Sequence, residues 1–188
     1  MPKKIANVRN NLLEKGRVML LADGYFGFSI SQLAHKCNIA TGTFYRYFSS
    51  KAKLTEVIVQ SDWDEMLGSM DMIVKSQIPF NKKLEGIYLE LKKFSDLYLT
   101  VWTQFSAEKG NTENFASIKE TCIKQLKKRV RQIIVEVVAA NPQIQLTENV
   151  DMVALIIIHN LFVMARTPIF DFKHFADALW KWALVTKK

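Results

Sequence analysis

The sequence predicts an all-α protein, because apolar residues recur with the helical period along nearly all of the 188-residue chain. Only seven Gly and four Pro are present, which is too few for the many turns of an all-β protein. Hydrophobic residues make up 49% of the chain, enough for the core of one large domain or of a small domain joined to a larger one. No segment shows the alternation of apolar and polar residues that predicts a β-strand.

The first helix is predicted over about residues 4–22, where apolar residues recur along one face. Gly16 lies on that face at a cost of roughly 1 kcal/mol in helix propensity, so we expect a neighbouring helix to approach closely there. Gly24 has the position of the left-handed residue that ends a helix.

Helices 2 and 3 follow, with a tight turn between them. Ser29 and the glutamine three residues later have the spacing of a capping box at the start of helix 2. Asn38 lies at the turn, and Asn tolerates a left-handed backbone better than any residue except Gly. Helix 3 is predicted over about residues 41–47, held against the first two helices by the inward-facing Phe44 and Phe48.

Five longer helices are predicted in the rest of the chain. Their expected ranges are 51–76, 82–108, 113–140, 148–166 and 171–185. Helix-breaking residues separate the last four from their predecessors: Pro79, Gly110 with Asn111, Asn141 with Pro142, and Thr167 with Pro168. The helix 148–166 is apolar on nearly all sides, and one subunit rarely surrounds a helix so completely, so we expect this helix at an interface between subunits.

The basic charge of the chain is concentrated at its beginning. Residues 1–53 contain nine Lys or Arg and two acidic residues, and so carry +7 of the net charge of +8. A polyanion attracts such a segment through the release of counterions, whatever its base sequence. Surface lysines that only keep the protein soluble are the alternative, which the uneven distribution disfavours. The charge therefore indicates a nucleic-acid partner.

Export and membrane insertion are not expected. The first residues, MPKKIANVRNNLL, have no apolar core of signal-peptide length, and no apolar stretch reaches the roughly 18–20 residues that span a bilayer. Cys37 and Cys122 form no CxxC pair and fall on helix faces that are expected to be buried, which fits a reducing compartment. The sequence predicts a cytoplasmic protein without a membrane partner.

An enzyme is the main rival class, and the sequence disfavours it. The three histidines, His35, His159 and His174, lack the spacing of metal ligands, and no Ser or Cys stands in a recognisable nucleophile motif. We therefore expect no catalytic residue, no cofactor and no metal site.

Residues 24–54, GYFGFSISQLAHKCNIATGTFYRYFSSKAKL, resemble the DNA-binding domain of the tetracycline-repressor (TetR) family of bacterial transcription regulators. The resemblance extends over about residues 8–55 and is most specific in GTFYRYF, at residues 42–48. Two residues depart from the family pattern. Asn38 stands where the family usually has Gly, and Ala40 replaces a capping residue, which costs about 1 kcal/mol at the start of helix 3.

The resemblance implies two sets of DNA contacts. Bases would be read by Thr41, Gly42, Tyr45 and Arg46, and phosphates would be contacted by Ser29, Thr43, Tyr47 and Lys51. Gly42 lets the backbone approach the groove, and Arg46 suits two hydrogen bonds to guanine, worth ~1–3 kcal/mol against a wrong base. Lys51, in the first turn of a helix, opposes the helix dipole unless a phosphate lies there. Alternatively, Tyr45 and Tyr47 pack on helix 1, and Arg46 is a solvated charge.

The resemblance also implies a homodimer and a small-molecule inducer. Two late helices of each subunit would form the interface, with 113–140 and 148–166 as candidates and 171–185 as a substitute for either. Candidate ligand contacts are Trp63, Tyr88, Tyr98, Trp102, Phe105 and Phe162, with His159, Asn160 and Gln104 as polar anchors. The alternative is that the aromatic residues are ordinary core and that His159 is a hydrogen-bonded core histidine. A basic run is interpreted as a solvated face, with a second nucleic-acid contact as the alternative: Lys124, Lys127, Lys128, Arg129 and Arg131.

These observations predict two domains, a helix-turn-helix domain over residues 1–52 and a ligand-binding and dimerisation domain over 53–188, connected by helix 51–76. The expected function is that of a repressor that binds an inverted-repeat operator as a homodimer and releases it when a small molecule binds. One alternative is a DNA-bound adaptor that recruits a protein partner without an inducer. Another is an activator, which the sequence does not distinguish from a repressor.

Overall fold

The structure, a computed structural model, describes residues 7–108, 112–167 and 171–186. The helices and strands of this part are, in order, α1 (Val8–Gly27), α2 (Ile30–Lys36), α3 (Thr41–Phe44), α4 (Lys51–Lys75), α5 (Phe80–Ala107), α6 (Thr112–Ala140), β1 (Ile144–Leu146), α7 (Val150–Arg166), α8 (Phe172–Ala183) and β2 (Leu184–Thr186). The predicted all-α class is confirmed. Within the described part, no helix combines the length and apolar character needed to cross a bilayer.

The chain forms two compact units, and the division runs through α4 and α5. The first unit contains the described residues of Met1–Glu65 and Leu97–Thr112. The second contains those of Met66–Asp96 and Glu113–Lys188. The predicted helix-turn-helix segment, residues 1–52, lies within the first unit, together with the first part of α4 and the last part of α5.

The core of the first unit is built on the apolar faces of α1, α2 and α4. Leu12, Leu20, Leu33 and Leu54 are fully buried there. A Cβ atom added to Gly16 would lie 3.1 Å from Leu54 Cδ2 and 3.3 Å from Ile58 Cδ1. The missing side chain therefore permits the close approach of α4 to α1 that the sequence predicted.

The capping box of α2 and the turn residue Asn38 are confirmed, and the prediction for Gly24 is confirmed in part. Gly24 interrupts α1 with a positive φ of 73°, but its ψ of 179° is not that of the left-handed helix cap, and α1 continues to Gly27. The Ser29 hydroxyl accepts from the Gln32 backbone N–H at 3.2 Å, while Gln32 Oε1 accepts from the Ser29 N–H at 2.7 Å. Asn38 has the expected left-handed backbone, with φ 54°.

Helix 3 is shorter than predicted. It is α-helical only over Thr41–Phe44, and no side chain caps it at Ala40. The next backbone bonds join Arg46 N to Thr43 O and Tyr47 N to Phe44 O, which is the tighter 3₁₀ pattern. A four-residue helix without a cap has little cooperative stability, so the position of Phe44 in the core, rather than helix propensity, fixes this segment.

The predicted ranges of α4, α5, α6 and α7 agree within two residues at each end. Helix 1 was predicted to end at about residue 22, whereas α1 continues past the kink at Gly24 to Gly27. Part of the prediction for helix 1 lies outside the described residues, and α1 begins at Val8. The prediction of helix over 171–185 was wrong at its end, because α8 stops at Ala183 and β2 follows. β2 pairs antiparallel with β1, with Leu146 opposite Leu184. Three-residue strands are too short to show the alternation that would have predicted them.

Candidate DNA-binding surface

The four residues predicted to read bases, Thr41, Gly42, Tyr45 and Arg46, are all exposed. A Cβ atom added to Gly42 would meet nothing within 4 Å, so the backbone here is open to a partner. Tyr45 is 54% exposed, which disfavours the alternative in which its ring packs on α1.

Phe44 and Phe48 hold this segment against the rest of the unit. Their side chains are 0% and 3% exposed, and their ring centroids are 5.8 Å apart. Tyr45 contacts the Phe44 ring edge-on at 5.3 Å, and the guanidinium of Arg9 lies 5.6 Å from the centre of the Phe48 ring. The exposed residues of the segment 41–47 are thus presented above a buried apolar base, an arrangement that suits entry into a DNA groove.

The residues predicted to contact phosphates differ in their exposure and in the hydrogen-bond donors that they have available. Ser29 is exposed, and because its hydroxyl accepts the capping bond, its own proton can be donated to a phosphate oxygen. Tyr47 is 43% exposed, whereas Thr43 is half-buried.

The Lys51 ammonium is already engaged inside the protein. Its Nζ donates to the carbonyl oxygens of Tyr25 at 2.7 Å and Phe28 at 3.0 Å, and it lies over both of their rings. Burial lowers the pKa of this lysine, and the negative charge of Glu108 partly opposes that effect. One of three ammonium protons remains for a phosphate, so a phosphate contact by Lys51 stays a prediction.

Two other bases of the N-terminal segment are paired with acids. Arg17 Nε lies 2.7 Å from Asp62 Oδ2, and Lys53 Nζ lies 2.9 Å from Glu56 Oε2. The hydrogen bond to Asp62 is the main cause of a raised pKa at Arg17. The positive charge that faces a polyanion is therefore smaller than the sequence count indicates.

The candidate ligand residues are divided between the two units. Trp63, Tyr98, Trp102 and Phe105 belong to the first, and Tyr88, His159 and Phe162 belong to the second. Trp63, Tyr98 and Phe105 are buried; Trp102 and Phe162 are half-buried. Tyr88 is buried too, and its ring stacks on that of Phe172 at 5.5 Å.

His159 is exposed, so it is not the core histidine of the alternative interpretation. Its Nδ1 is 2.9 Å from the carbonyl oxygen of Leu155, one turn earlier in α7. Asn160 likewise donates to the carbonyl of Ile156 at 2.8 Å. Both polar side chains therefore make bonds within their own helix, and their role as ligand anchors stays a prediction.

The exposed face of α7 is largely apolar, with the exposed His159 one turn from both Leu155 and Val163. Met152, Leu155 and Val163 lie on this face and are 50%, 38% and 53% exposed.

On α6, four bases of the run at 124–131 pair with acids: Lys124 with Glu120, Arg129 with Asp71, and Lys127 and Arg131 with Asp151. The exposed pairs of Lys124, Lys127 and Arg131 agree with the interpretation of that run as a solvated face, whereas the side chain of Arg129 is only 14% exposed and does not.

Sequence reasoning missed three residues that organise the N-terminal unit. Asp62 accepts hydrogen bonds from Arg17 and from the Tyr98 hydroxyl, and Glu108 accepts one from the Tyr25 hydroxyl. Gln104, which sequence reasoning named only as a ligand anchor, accepts a hydrogen bond from the Phe26 backbone N–H at 3.1 Å. Polar pairs so far apart in the chain leave no periodic signal in the sequence.

Comparison with known proteins matches the N-terminal part of the chain by sequence and nearly the whole chain by fold. Residues 12–58 match the family model of bacterial regulatory proteins of the tetR family. The comparison with curated proteins finds no match. Solved structures match over nearly the whole chain.

A TetR/AcrR-family regulator from Thermobifida fusca YX-ER1 superposes with a TM-score of 0.64 at 15% identity, covering 92% of this chain and 94% of that one. FadR from Bacillus subtilis, in complex with stearoyl-CoA, gives 0.63 at 18%, covering 92% and 96%. RolR in complex with resorcinol gives 0.59 at 18%, covering 96% and 89%. The chain therefore has the helix-turn-helix DNA-binding domain and the fold of a TetR-family transcription regulator.

Proposed function

We propose that this protein is a transcriptional repressor that binds an inverted-repeat operator as a homodimer and releases it when a small molecule binds in residues 53–188. The observation that carries the DNA-binding part is the exposure of Thr41, Gly42, Tyr45 and Arg46 above the buried Phe44 and Phe48. An exposed, rigidly held segment of this kind suits the major groove.

The chemistry of the exposed residues supports sequence-specific binding. Arg46 has the donors for guanine O6 and N7, and Gly42 leaves space for the backbone to approach base edges. Ser29 and Tyr47 offer hydroxyl protons to phosphate oxygens on either side of the groove. Base contacts then give specificity, while phosphate contacts set the register of the helix on the duplex.

The exposed apolar face of α7 supports the homodimer. Met152, Leu155 and Val163 share this face, and such a row on one helix is typical of a surface that another chain covers. A two-fold axis makes the same face contact itself and repeats the recognition segment about 34–36 Å away, one turn of DNA further along. This spacing is the reason to expect an inverted repeat.

A small-molecule inducer is supported by the buried aromatic residues and by the similar structures. Trp63, Tyr88, Tyr98 and Phe105 are large apolar side chains of the kind that line ligand sites. RolR and FadR, with the same fold, were solved with resorcinol and stearoyl-CoA. We expect an inducer with a largely apolar body.

The test is a fluorescence-anisotropy titration of the protein on DNA from upstream of its own gene, with random DNA of equal length as the control. We expect binding at least about 10³-fold tighter to the upstream DNA. A specific complex supplies the duplex with which candidate inducers are screened, and a promoter–reporter assay separates repression from activation. Equal binding to both duplexes would contradict an operator upstream of the gene, and failure to bind either would contradict the proposed function.

A further inference from the structure

The last residues of α1 after its kink, together with Phe28, lead directly into Ser29; this segment, residues 24–28, is called the α1–α2 connector. Gly24 starts it with a positive φ of 73°, and Phe28 ends it in an extended conformation, with φ −121° and ψ 157°. Ser29 continues the extended backbone and caps α2. The path of the connector therefore sets where the Ser29 hydroxyl and the first N–H groups of α2 lie.

Gln104, on the last part of α5, holds the middle of this connector. Its Oε1 accepts from the Phe26 N–H at 3.1 Å. A Cβ atom added to Gly24 would lie 2.6 Å from the same Oε1 and 3.1 Å from Nε2. Gly24 is thus required both for its backbone conformation and to leave room for the amide of Gln104.

Two further contacts of α5 fix Tyr25. The tyrosine is 1% exposed, its ring meets Phe105 edge-on at 5.3 Å, and its hydroxyl donates to the carboxylate of Glu108. One turn of α5 therefore holds two consecutive connector residues, Tyr25 by its side chain and Phe26 by its backbone.

Lys51, at the start of α4, binds backbone carbonyl groups of the same connector. Its ammonium donates to Tyr25 O and Phe28 O. The connector is thus bonded through its N–H to α5 and through its carbonyls to α4. A backbone segment with both kinds of group bonded to side chains of other helices has little freedom to move.

We infer that Gln104 is a positioning residue for DNA binding: it fixes the α1–α2 connector and so places the Ser29 hydroxyl where it can donate to a phosphate. This inference rests on the proposed function. It gives the end of α5, about fifty residues beyond the matched helix-turn-helix segment, a direct part in DNA affinity. Because a phosphate contact is read without regard to base sequence, the effect extends to all duplexes.

The test compares Gln104→Ala with Gln104→Glu, which keeps an acceptor at the same reach. Thr103→Ala is the matched control, because the side chain of this exposed neighbour donates to Leu99 O within its own helix. For Gln104→Ala we expect about three- to tenfold weaker binding to upstream and random DNA alike. We also expect the slope of log K against log salt to fall by about 0.9 for each phosphate that the variant no longer reaches. Thr103→Ala keeps the wild-type affinity and slope, and Gln104→Glu, which keeps the acceptor but adds a negative charge, keeps the wild-type slope.

Amide hydrogen exchange without DNA provides a second readout, because Gln104→Ala is expected to speed exchange at Phe26 while Gln104→Glu is not. Stoichiometric titration counts the folded, active fraction, so a loss of stability is not mistaken for a loss of affinity. If the wild-type protein binds DNA and Gln104→Ala binds it with unchanged affinity and slope, the inference is overturned and the proposed function stands. If the wild-type protein binds no DNA, both fail.

Discussion

The carboxylate of Asp62 on α4 lies 2.7 Å from the guanidinium Nε of Arg17 on α1. The Tyr98 hydroxyl of α5 donates to the same carboxylate oxygen at 2.5 Å. The side chain of Asp62 is only 12% exposed, and Tyr98 is fully buried. One carboxylate therefore joins the three helices of the first unit that carry and surround the helix-turn-helix segment.

Replacing Asp62 with Ala is expected to destabilise the protein by about 1–3 kcal/mol, because the buried Tyr98 hydroxyl loses its acceptor. Urea unfolding monitored by circular dichroism measures this loss. Asp64→Ala is the control: Asp64 is exposed and accepts from Gln60 one turn earlier, so its removal is expected to change the free energy of unfolding by no more than about 0.5 kcal/mol. Equal losses in the two variants would contradict the role given to Asp62.

Tyr98 also predicts a dependence of stability on pH. Burial and the hydrogen bond to Asp62 raise the pKa of Tyr98 above its ordinary value. The folded state then holds a proton that the unfolded chain loses above about pH 10, so the free energy of unfolding falls as the pH rises through that range. Between about pH 9 and pH 11, the wild type is expected to lose more stability than Tyr98→Phe. Parallel losses in urea titrations at both pH values would contradict the assignment.

Lys51→Met is expected to lower the free energy of unfolding, because it removes the hydrogen bonds to Tyr25 O and Phe28 O. Methionine keeps the apolar stem of the side chain, so the packing of the stem is not lost as well. Hydrogen bonds from a charged donor support a loss of about 1.5–3 kcal/mol. If Lys51 also reaches a phosphate, the slope of log K against log salt falls by about 0.9 in the same variant. An unchanged slope in a destabilised variant would limit Lys51 to holding the connector. Lys93→Ala, at an exposed base of α5 outside the helix-turn-helix segment, shows the effect of losing surface charge alone.

Local features of the fold could be predicted from the sequence because each depends on a few neighbouring residues. The Ser29 capping box, the left-handed Asn38 and the inward-facing Phe44 follow from backbone conformation and helical spacing. The bond between Gln104 and Phe26 joins residues 78 positions apart, and the Arg17–Asp62 pair spans 45. Such contacts depend on how helices pack, and nothing in the local pattern of either partner indicates them.

At the candidate DNA-binding surface, too, the exposure of residues could be predicted from the sequence, whereas the long-range bonds could not. Exposure of Tyr45 and Arg46 follows from the burial of Phe44 and Phe48 on the opposite side of the segment. The engagement of Lys51 was not foreseen, since a basic residue in the first turn of a helix equally suggests a phosphate. Its partners are backbone carbonyls, which every residue possesses and which therefore leave no trace in the sequence.

Arg46→Ala is expected to weaken binding to the operator and to relax the preference at one base pair in each half-site. Loss of the guanine contact is worth about 1–3 kcal/mol, or roughly five- to 150-fold in affinity for the preferred base. Anisotropy titrations on duplexes with each base at that position measure the change. A variant that loses the same factor on random DNA would show that Arg46 contacts phosphate instead of a base.

The exposed face of α7 gives the last prediction. Val163→Glu introduces a charge where a second subunit is expected to cover an apolar row, and a buried unpaired charge is costly. We expect the dimer dissociation constant, measured by sedimentation equilibrium, to rise at least about tenfold and operator binding to weaken with it, since a monomer reads only one half-site. Met72→Glu is the control, because Met72 on α4 is 70% exposed and lies outside the proposed interface helices, so its dimer is expected to persist. If Val163→Glu stays dimeric at the concentrations at which the wild type does, α7 does not form the interface, and the exposed Trp180 and Trp182 of α8 become the residues to change next.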